Sequence, residues 1–595
     1  MYDGIPRRVA SRKPGAFGKL WVTWHVIALL ALLVLAAGCG PAVVVVTATP
    51  SPTPGPTAAP SLTPLPTAAP TATATPTPQA TPTPLPPGVW IAPGVPGGVR
   101  AVFDPLLADG YRLVQNPMAA DLRLDLEIEG APVAAQWVYA VVAPFPTLAD
   151  EVAWADVLRF WSGEPDALAY LSNTGAAPTL ILAADVLETL TARLGPPAPA
   201  APVQTVPGDA VERAAWEACG ASWSILPFHE LRPEWKVLRV DGVDLLDRDA
   251  DLAGYPLAVN VGLHGAAAAI DAAANAMASA GTWRATNRDP ARMTTLAMTG
   301  VTALARVTAQ RMDAVDVDYP ARDILPVLQG ADLLHISNEV AFAPDCVPDY
   351  TWTSMTFCAR DAYFDLLTHI GADVIELTGN HINDWGTAAL DHSLDLYQAA
   401  GMGVFGGGRN LEAATTPYLT AHNGNTFAFV GCNPLGPPGA FAGVSSPGAA
   451  PCDYDALRRQ IGELAGQVDI VVVTQQYWEY DHAEPTAKQV ADFASLARAG
   501  ADIVSGSQAH TPQGFAFVDG AFVHYGLGNL FFDQMQSLTL REMFIDRHVI
   551  YEGRHISTAL FTGVIEDFAR PRPMTPDERR DFLSRLFAAP PLCPG

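Results

Sequence analysis

Positive charge is scarce in this chain. Lys and Arg total 35 against 61 Asp and Glu, a formal net charge of −26 at pH 7. So acidic a composition argues against nucleic acid as a partner and against an electrostatic hold on anionic lipid. An anionic substrate would have to be drawn by a local site or a metal. No CxxC spacing occurs, which argues against a zinc–thiolate site. The apolar run Trp21–Leu35 is short for a membrane span. Charged residues of both signs make up only 16% and hydrophobic ones 49%, so most of the chain is expected to fold. Its 595 residues suffice for two or more domains, each with a core.

What is present begins with a leader. Arg7, Arg8, Arg12, Lys13 and Lys19 precede the apolar run, and Leu35-Ala36-Ala37-Gly38-Cys39 follows it. Residues 1–39 resemble a bacterial lipoprotein signal, with Ala36 where Leu is commoner. A plain anchor or an ordinary cleaved signal is the alternative. The resemblance implies lipid on Cys39 and a place on the extracytoplasmic face of the cell membrane, held through that lipid. Arg7-Arg8 lacks the rest of a twin-arginine pattern. Residues 40–88 read as a disordered stalk, because Thr47–Pro87 is almost wholly Thr, Pro, Ala and Ser and cannot bury a core. Export permits disulfides among Cys219, Cys346, Cys358, Cys432, Cys452 and Cys593. Cys346 with Cys358 would close a loop just after Glu339, and Cys432 with Cys452 a Gly/Pro-rich loop.

Residues 89–285 read as an α/β domain. Trp137–Pro146 is a strand-like apolar run, Ala149–Gly163 has helical spacing, Tyr170–Leu182, Trp223–Pro227 and Val237–Val240 suggest strands, and Ala266–Ala280 is an Ala-rich helix. The stretches WVYAVVAPFPTLADEV, WADVLRFWSG and SWSILPFHELRPEWKVLRVDG resemble, by pattern, type 2 periplasmic solute-binding domains. No ligand contact carries over. Trp137, Phe145, Trp223 and Phe228 read as core in preference to pocket walls. The polar stretch Thr286–Arg292 marks a boundary.

A second α/β domain spans 293–573, with a tail 574–595 that holds an amphipathic helix over Asp577–Phe587. Its centre is LTGNHINDWG, Leu377–Gly386. Asp373–Leu377 is a short apolar strand, Gly379 allows a tight turn, and Asn380 and His381 then stand at the strand's C-terminal end, where open α/β sheets bind ligands. An Asn–His pair there can ligate a metal or hydrogen-bond the turn. Glu339 ends the run ADLLHISNE, His510 ends ADIVSGSQAH, and YGLGN closes another strand at Asn529. Polar groups recurring past several strand ends point to a site.

From about Met293 to Asp567 this order of motifs resembles the CapA, or poly-γ-glutamate capsule synthesis, family. Gly379–Gly386 matches its Asn-His turn, Ala331–Glu339 its acidic strand, Gly500–His510 its Gly-Ala-Asp and His segment, and Val523–Phe532 its closing strand. The resemblance implies a calcineurin-like, metallophosphoesterase-type α/β/β/α sandwich. Several family ligands are replaced here: Val301 stands for an Asp, Gln475 for a His that ends a strand, and Gln508 for the first His of Gly-x-His-x-His. Glu339, Asn380, His381, Glu479 and His510 remain. A two-metal centre needs charged and imidazole ligands on both ions, so at most one divalent metal ion is expected, on Asn380, His381, His510 and Glu339. Equally open is a metal-free pocket built by Asn380, Gln475, Gln508 and Asn529. For catalysis, His381 or His510 would serve as ligand or general acid, and Glu339 or Glu479 as ligand or general base, in ester or amide hydrolysis. Asp384 reads as a cap for the helix after Gly386, Asp546-Arg547-His548 as a loop, and Gly406–Arg409 as a weak anion cradle.

The resemblance implies a surface lipoprotein serving synthesis, export or remodelling of an extracellular polymer, poly-γ-glutamate or polysaccharide. The rival expectation is a non-catalytic binding protein for a solute or polymer.

Overall fold

A computed structural model describes residues 86–589 and 592, apart from 109, 127–132, 173–174 and 281–283. The leader, Cys39, Cys593 and nearly all of the stalk lie outside the described residues. Among the described residues, no helix is long and apolar enough to cross a membrane.

The first α/β region is built on a mixed sheet. Its central strand, Val133–Pro144, pairs with Ala258–Gly265 on one side and Ser222–Pro227 on the other, and Thr179–Ala183 and Val203–Val206 continue the order outward. Trp137, Phe145, Trp223 and Phe228 are all buried, as core residues should be. The run read as one strand over Tyr170–Leu182 divides: Pro165–Leu171 is a 3-10 helix, and only Thr179–Ala183 is extended.

The second region has two large sheets, besides two two-stranded ones, Phe342–Ala343 with Ala359–Arg360 and Gly407–Gly408 with Gly448–Ala449. In chain order the strands of the two large sheets are β1 (Met293–Thr299), β2 (Val301–Thr302), β3 (Leu333–Asn338), β4 (Val374–Glu376), β5 (Gly403–Phe405), β6 (Tyr418–His422), β7 (Asn425–Cys432), β8 (Ile470–Gln476), β9 (Ile503–Ser507), β10 (Phe515–Val518), β11 (Ala521–His524), β12 (Asn529–Phe531), β13 (Glu542–Tyr551), β14 (Arg554–Glu566) and β15 (Arg570–Pro573). One sheet runs β5-β4-β3-β1-β13-β14-β15, with β2 bridging β3 and β12, and the other runs β6-β7-β8-β9-β11-β10. Neighbours β5, β4, β3 and β1 are parallel, as are β7, β8, β9 and β11.

Period-2 alternation separates the faces. In β8, Ile470 and Val472 join Leu296, Met298, Val374, Phe429 and Phe544 in the apolar layer between the sheets. Val471 and Val473 point the other way, toward Ile461 and Phe493 on the helices Tyr454–Leu464 and Ala487–Ala497. The first sheet likewise packs Leu334, Ile336 and Ile375 outward against Leu366, Leu390 and Tyr397. The result is helix, sheet, sheet, helix: an α/β/β/α sandwich.

The C-terminal helix, Pro576–Phe587, opens with a Thr575–Glu578 capping box. It buries Phe582, Leu583 and Leu586 in the inter-sheet layer and is tied to the first region by Arg579, which donates to both carboxylate oxygens of Asp150. Lys236 joins that ion pair and lines a cavity of about 300 Å³ with it.

The segment Asp546-Arg547-His548, expected as a loop, lies inside β13. Asp546 and His548 are buried between the sheets because the strand's alternation aims them with Phe544 into that layer, and His524 Nδ1 donates to Asp546 Oδ2 at 2.6 Å. Gly407-Gly408 form a short strand, and Arg409 is neutralised by Asp391 and Asp395, so the expected anion cradle offers no free cation.

Candidate functional site

Parallel strands deliver their loops to one edge. Glu339 follows β3, Asn380 and His381 follow β4, Gln476 ends β8, Gln508 and His510 follow β9, and Asn529 opens β12. Hydrogen bonds join Glu339, Asn380, Gln476 and Gln508, and His510 to Asn529, while His381 follows Asn380 in the same turn. Gln476 Nε2 donates to Glu339 Oε1 at 2.6 Å, lies 3.2 Å from Asn380 Oδ1 and also contacts Gln508 Oε1. Gln508 Nε2 donates to Glu479 Oε1 at 2.9 Å. His510 donates from Nδ1 to Asn529 Oδ1 at 2.7 Å, and its Nε2 stands 3.6 Å from Glu479 Oε1. His381 donates from Nδ1 to Asp384 Oδ2 at 2.7 Å.

Gln475 does not join them. Its Nε2 donates to Tyr454 Oη and faces the sulfurs of Cys432 and Cys452, on the outer side of its sheet. Strand alternation is the cause: Val471, Val473 and Gln475 share the helix-facing side, so the site-facing glutamine is Gln476. Nor does Asp384 cap a helix. The N-cap of Thr387–Ala400 is Gly386, at a positive φ of 89°, and Asp384 instead accepts from His381 and from the Phe357 backbone N–H. Val301 is buried among Ile336, Ile382 and Phe532, its backbone in register with Ser337 and Asn529.

Close packing fixes the geometry. A side chain at Gly379 would meet Glu339 Cα and Cγ at 2.8 Å, so glycine lets the Asn-His turn lie against the buried glutamate. Gln508 holds φ at 75°, a left-handed conformation unfavourable for a residue with a Cβ and retained by its carboxamide contacts. Phe357 stacks on His381, Phe532 lies against His510, and the Arg306 guanidinium sits over both phenyl rings. Arg306 is itself ion-paired with buried Asp533. The disulfide Cys346–Cys358 closes the loop that carries Phe357, and Cys432–Cys452 closes the loop whose Gly439 and Pro447 carbonyls accept from Asn383.

The electrostatics favour protonated imidazoles. Burial works against the His381 imidazolium, but the hydrogen bond to Asp384 and the charge of Glu339 outweigh it and raise the pKa. For His510, burial is outweighed by its bond to Glu479 and the charge of Glu339, again raising it. The same bond from His510 lowers the pKa of Glu479, with burial opposing. Glu339 Oε2 is buried without a hydrogen-bond partner. The donor set does not fit a metal as placed. Gln476 turns an N–H group toward the oxygens of Glu339 and Asn380 that would have to face a cation, and among the described residues no group of three or more His, Cys, Asp or Glu side chains converges on one point. The chemistry left to this arrangement is proton transfer and hydrogen bonding.

A second polar cluster backs the first. Glu376, fully buried in β4, accepts from Thr378 Oγ1 and from Ser507 Oγ, and Ser507 Oγ also lies 2.9 Å from Gln476 Oε1. His335 Nε2 stands 3.3 Å from Glu376 Oε2. Burial opposes ionisation of Glu376, but His335 and the hydroxyls leave its pKa lowered. Gln476, Asp384, Phe357, Arg306 and Glu376 are the site residues that motif reading missed.

Two packed sheets with helices outside, and a polar cleft beyond the C-terminal ends of parallel strands, define an α/β/β/α sandwich protein with its candidate site at the strand ends. Residues 295–534 match the family described as bacterial capsule synthesis protein PGA_cap. The capsule biosynthesis protein CapA of Bacillus anthracis is 24% identical over 294 residues, covering 48% of this chain and 72% of the relative. The PGA biosynthesis protein CapA of Bacillus subtilis (strain 168) is 28% identical over 191 residues, covering 32% of this chain and 50% of its own. These matches support the CapA family for the C-terminal half. Among solved structures, a calcineurin-like phosphoesterase from Bacillus subtilis aligns at 10% identity and TM-score 0.28, over 50% of this chain and 97% of that one. An ABC-type phosphate transport receptor from Vibrio cholerae aligns at 10% identity and TM-score 0.26, over 33% of this chain and 95% of that one. At such scores the strand order of the chain itself carries the fold assignment.

Proposed function

We propose that the chain acts in the synthesis, export or remodelling of a capsule-type extracellular polymer, and that the polymer is engaged at the His381/His510 cleft. The supporting observation is that two imidazoles have their pKa raised in part by the charge of Glu339, a buried carboxylate with an unpartnered oxygen, inside the segment that matches the capsule family. A protonated imidazole donates a proton to a leaving oxygen or nitrogen. A carboxylate beside it accepts one from water. His381 and His510 are therefore assigned the general-acid role and Glu339 or Glu479 the general-base role in hydrolysis of an ester or amide link. Asn380, Gln476, Gln508 and Asn529 hold these groups and the polymer backbone by hydrogen bonds.

The rival reading, capture without turnover, is favoured by the Gln476–Gln508 carboxamide contact, which fills the middle of the site. Incubation of the purified protein with capsule polymer, followed by size-exclusion chromatography, separates the two. Shortening by the wild type that His510→Gln abolishes supports hydrolysis. Retention of polymer on the protein at unchanged chain length supports capture. Lipid attachment at Cys39 and a place on the outer face of the membrane belong to the same proposal, and a Cys39→Ser chain that is neither lipidated nor cleaved at this junction would support them.

A further inference from the structure

The loops that carry the cleft share an unusual composition. Segments 344–358, 378–386, 433–453, 477–486 and 508–514 contain no Lys or Arg, while Asp345, Asp349, Asp481 and Glu484 stand on them. The nearby cation Arg306 is buried and neutralised by Asp533. On these loops a polyanion such as poly-γ-glutamate would find only the imidazoles of His381, His482 and His510 to pair with and several carboxylates to repel it.

The same loops expose apolar surface. Both exposed tryptophans among the described residues lie on them, Trp352 at 54% and Trp478 at 52%, together with Met355, Val444 and Tyr480. They reach the cleft from the two sheets. The loop of Trp352 follows β3 and ends at Phe357, which stacks on His381; Trp478 precedes Glu479, the partner of His510. Large exposed rings flanking a polar cleft mark an interaction surface.

Resting on the reading of this cleft as the polymer site, we propose that the polymer is an uncharged glycan, laid across the rim with sugar rings stacked on Trp352 and Trp478. The C–H face of a pyranose is apolar and slightly positive, and it suits the negative face of an indole. Sugar hydroxyls donate to carboxylates, which gives the acidic rim a use that a polyanion would not.

The test titrates the full-length protein with uncharged hexasaccharides of β-linked glucose, N-acetylglucosamine and mannose, and separately with poly-γ-glutamate, by calorimetry and tryptophan fluorescence. We expect at least one uncharged hexasaccharide to bind. Trp352→Ala and Trp478→Ala should each weaken it by about tenfold, and Trp478→Phe by much less. Poly-γ-glutamate should bind more weakly than that sugar. Tighter binding of poly-γ-glutamate, failure of all three sugars, or sugar binding indifferent to both Trp→Ala changes would overturn the proposal. Because these residues are exposed, loss of fold does not confound the variants. The assay reads the rim alone, so its failure leaves the His381/His510 assignment to be judged by polymer turnover.

Discussion

Phe357 lies face to face with His381, ring centroids 4.1 Å apart and planes inclined by 26°. Through Arg306 and Phe532 the stack continues toward His510, so one column of rings and a guanidinium supports both imidazoles of the cleft. Phe357→Leu keeps an apolar side chain, somewhat smaller, but removes the stack. It should cost roughly 0.5–1.5 kcal/mol and reduce polymer turnover, as chemical denaturation and the chromatographic assay would show. An unchanged turnover would mean that His381 is held by Asp384 alone.

Asp384 should set the proton affinity of His381. In Asp384→Asn the pKa of His381 should fall from its raised position, since the hydrogen bond and charge that raise it are weakened. Histidine proton NMR titration reads this directly. The active, protonated form would then be lost at lower pH, and the alkaline limb of the turnover profile should move down with it. A His381 that titrates as in the wild type would remove the pair from the account.

Two adjacent glutamines give opposite expectations. Gln476→Ala leaves Glu339 Oε1 and Asn380 Oδ1 without their donor and should impair the site, at a cost of about 1–3 kcal/mol in stability. Gln475→Ala breaks the bond to Tyr454 behind the sheet and should leave polymer binding intact. Equal loss of binding in both variants would contradict the assignment of faces.

Arg306 and Asp533 form a buried ion pair. Arg306→Met strands the carboxylate and should cost about 3–5 kcal/mol, measured by denaturant unfolding. The double change with Asp533→Leu should recover much of it.

Acid should weaken the inter-sheet layer. Burial pushes the pKa of His555 down to about 4, and burial with the neighbouring His555, His524 and His335 lowers that of His548. Both pKa values lie below the unfolded value of about 6.5, so unfolding takes up protons as the pH falls. The stability these groups contribute is complete above pH ~6.5 and, for His555, is lost as the pH falls to about 4, by up to about 3 kcal/mol. His555→Gln should flatten the thermal melting profile over that window; an equally steep acid limb would assign it to other groups.

How far the sequence reveals this protein depends on the range of each interaction. The α/β alternation and the polar residues past successive strand ends were legible, because strand period and turn chemistry are local. The Gln475/Gln476 distinction was legible too, in the alternation of Val471, Val472, Val473 and Thr474, but the family motif drew attention to the wrong neighbour. Asp384 sits three residues after His381, a spacing that also suits a cap. Only the helix start, with Gly386 as its N-cap, decides between them. The Arg306–Asp533 pair joins residues 227 apart, and His524 meets Asp546 across two sheets. No local pattern encodes such pairings. Asp546 and His548 looked like loop residues because a buried polar pair is visible only once its partner is placed.

The most direct test of the central claim is the amount of surface polymer made by cells that lack this chain and are complemented with wild type, His381→Gln or His510→Gln at matched protein levels. The account predicts that wild type restores the polymer and that both histidine variants fail to. Full restoration by either variant would contradict the assignment of function to this cleft.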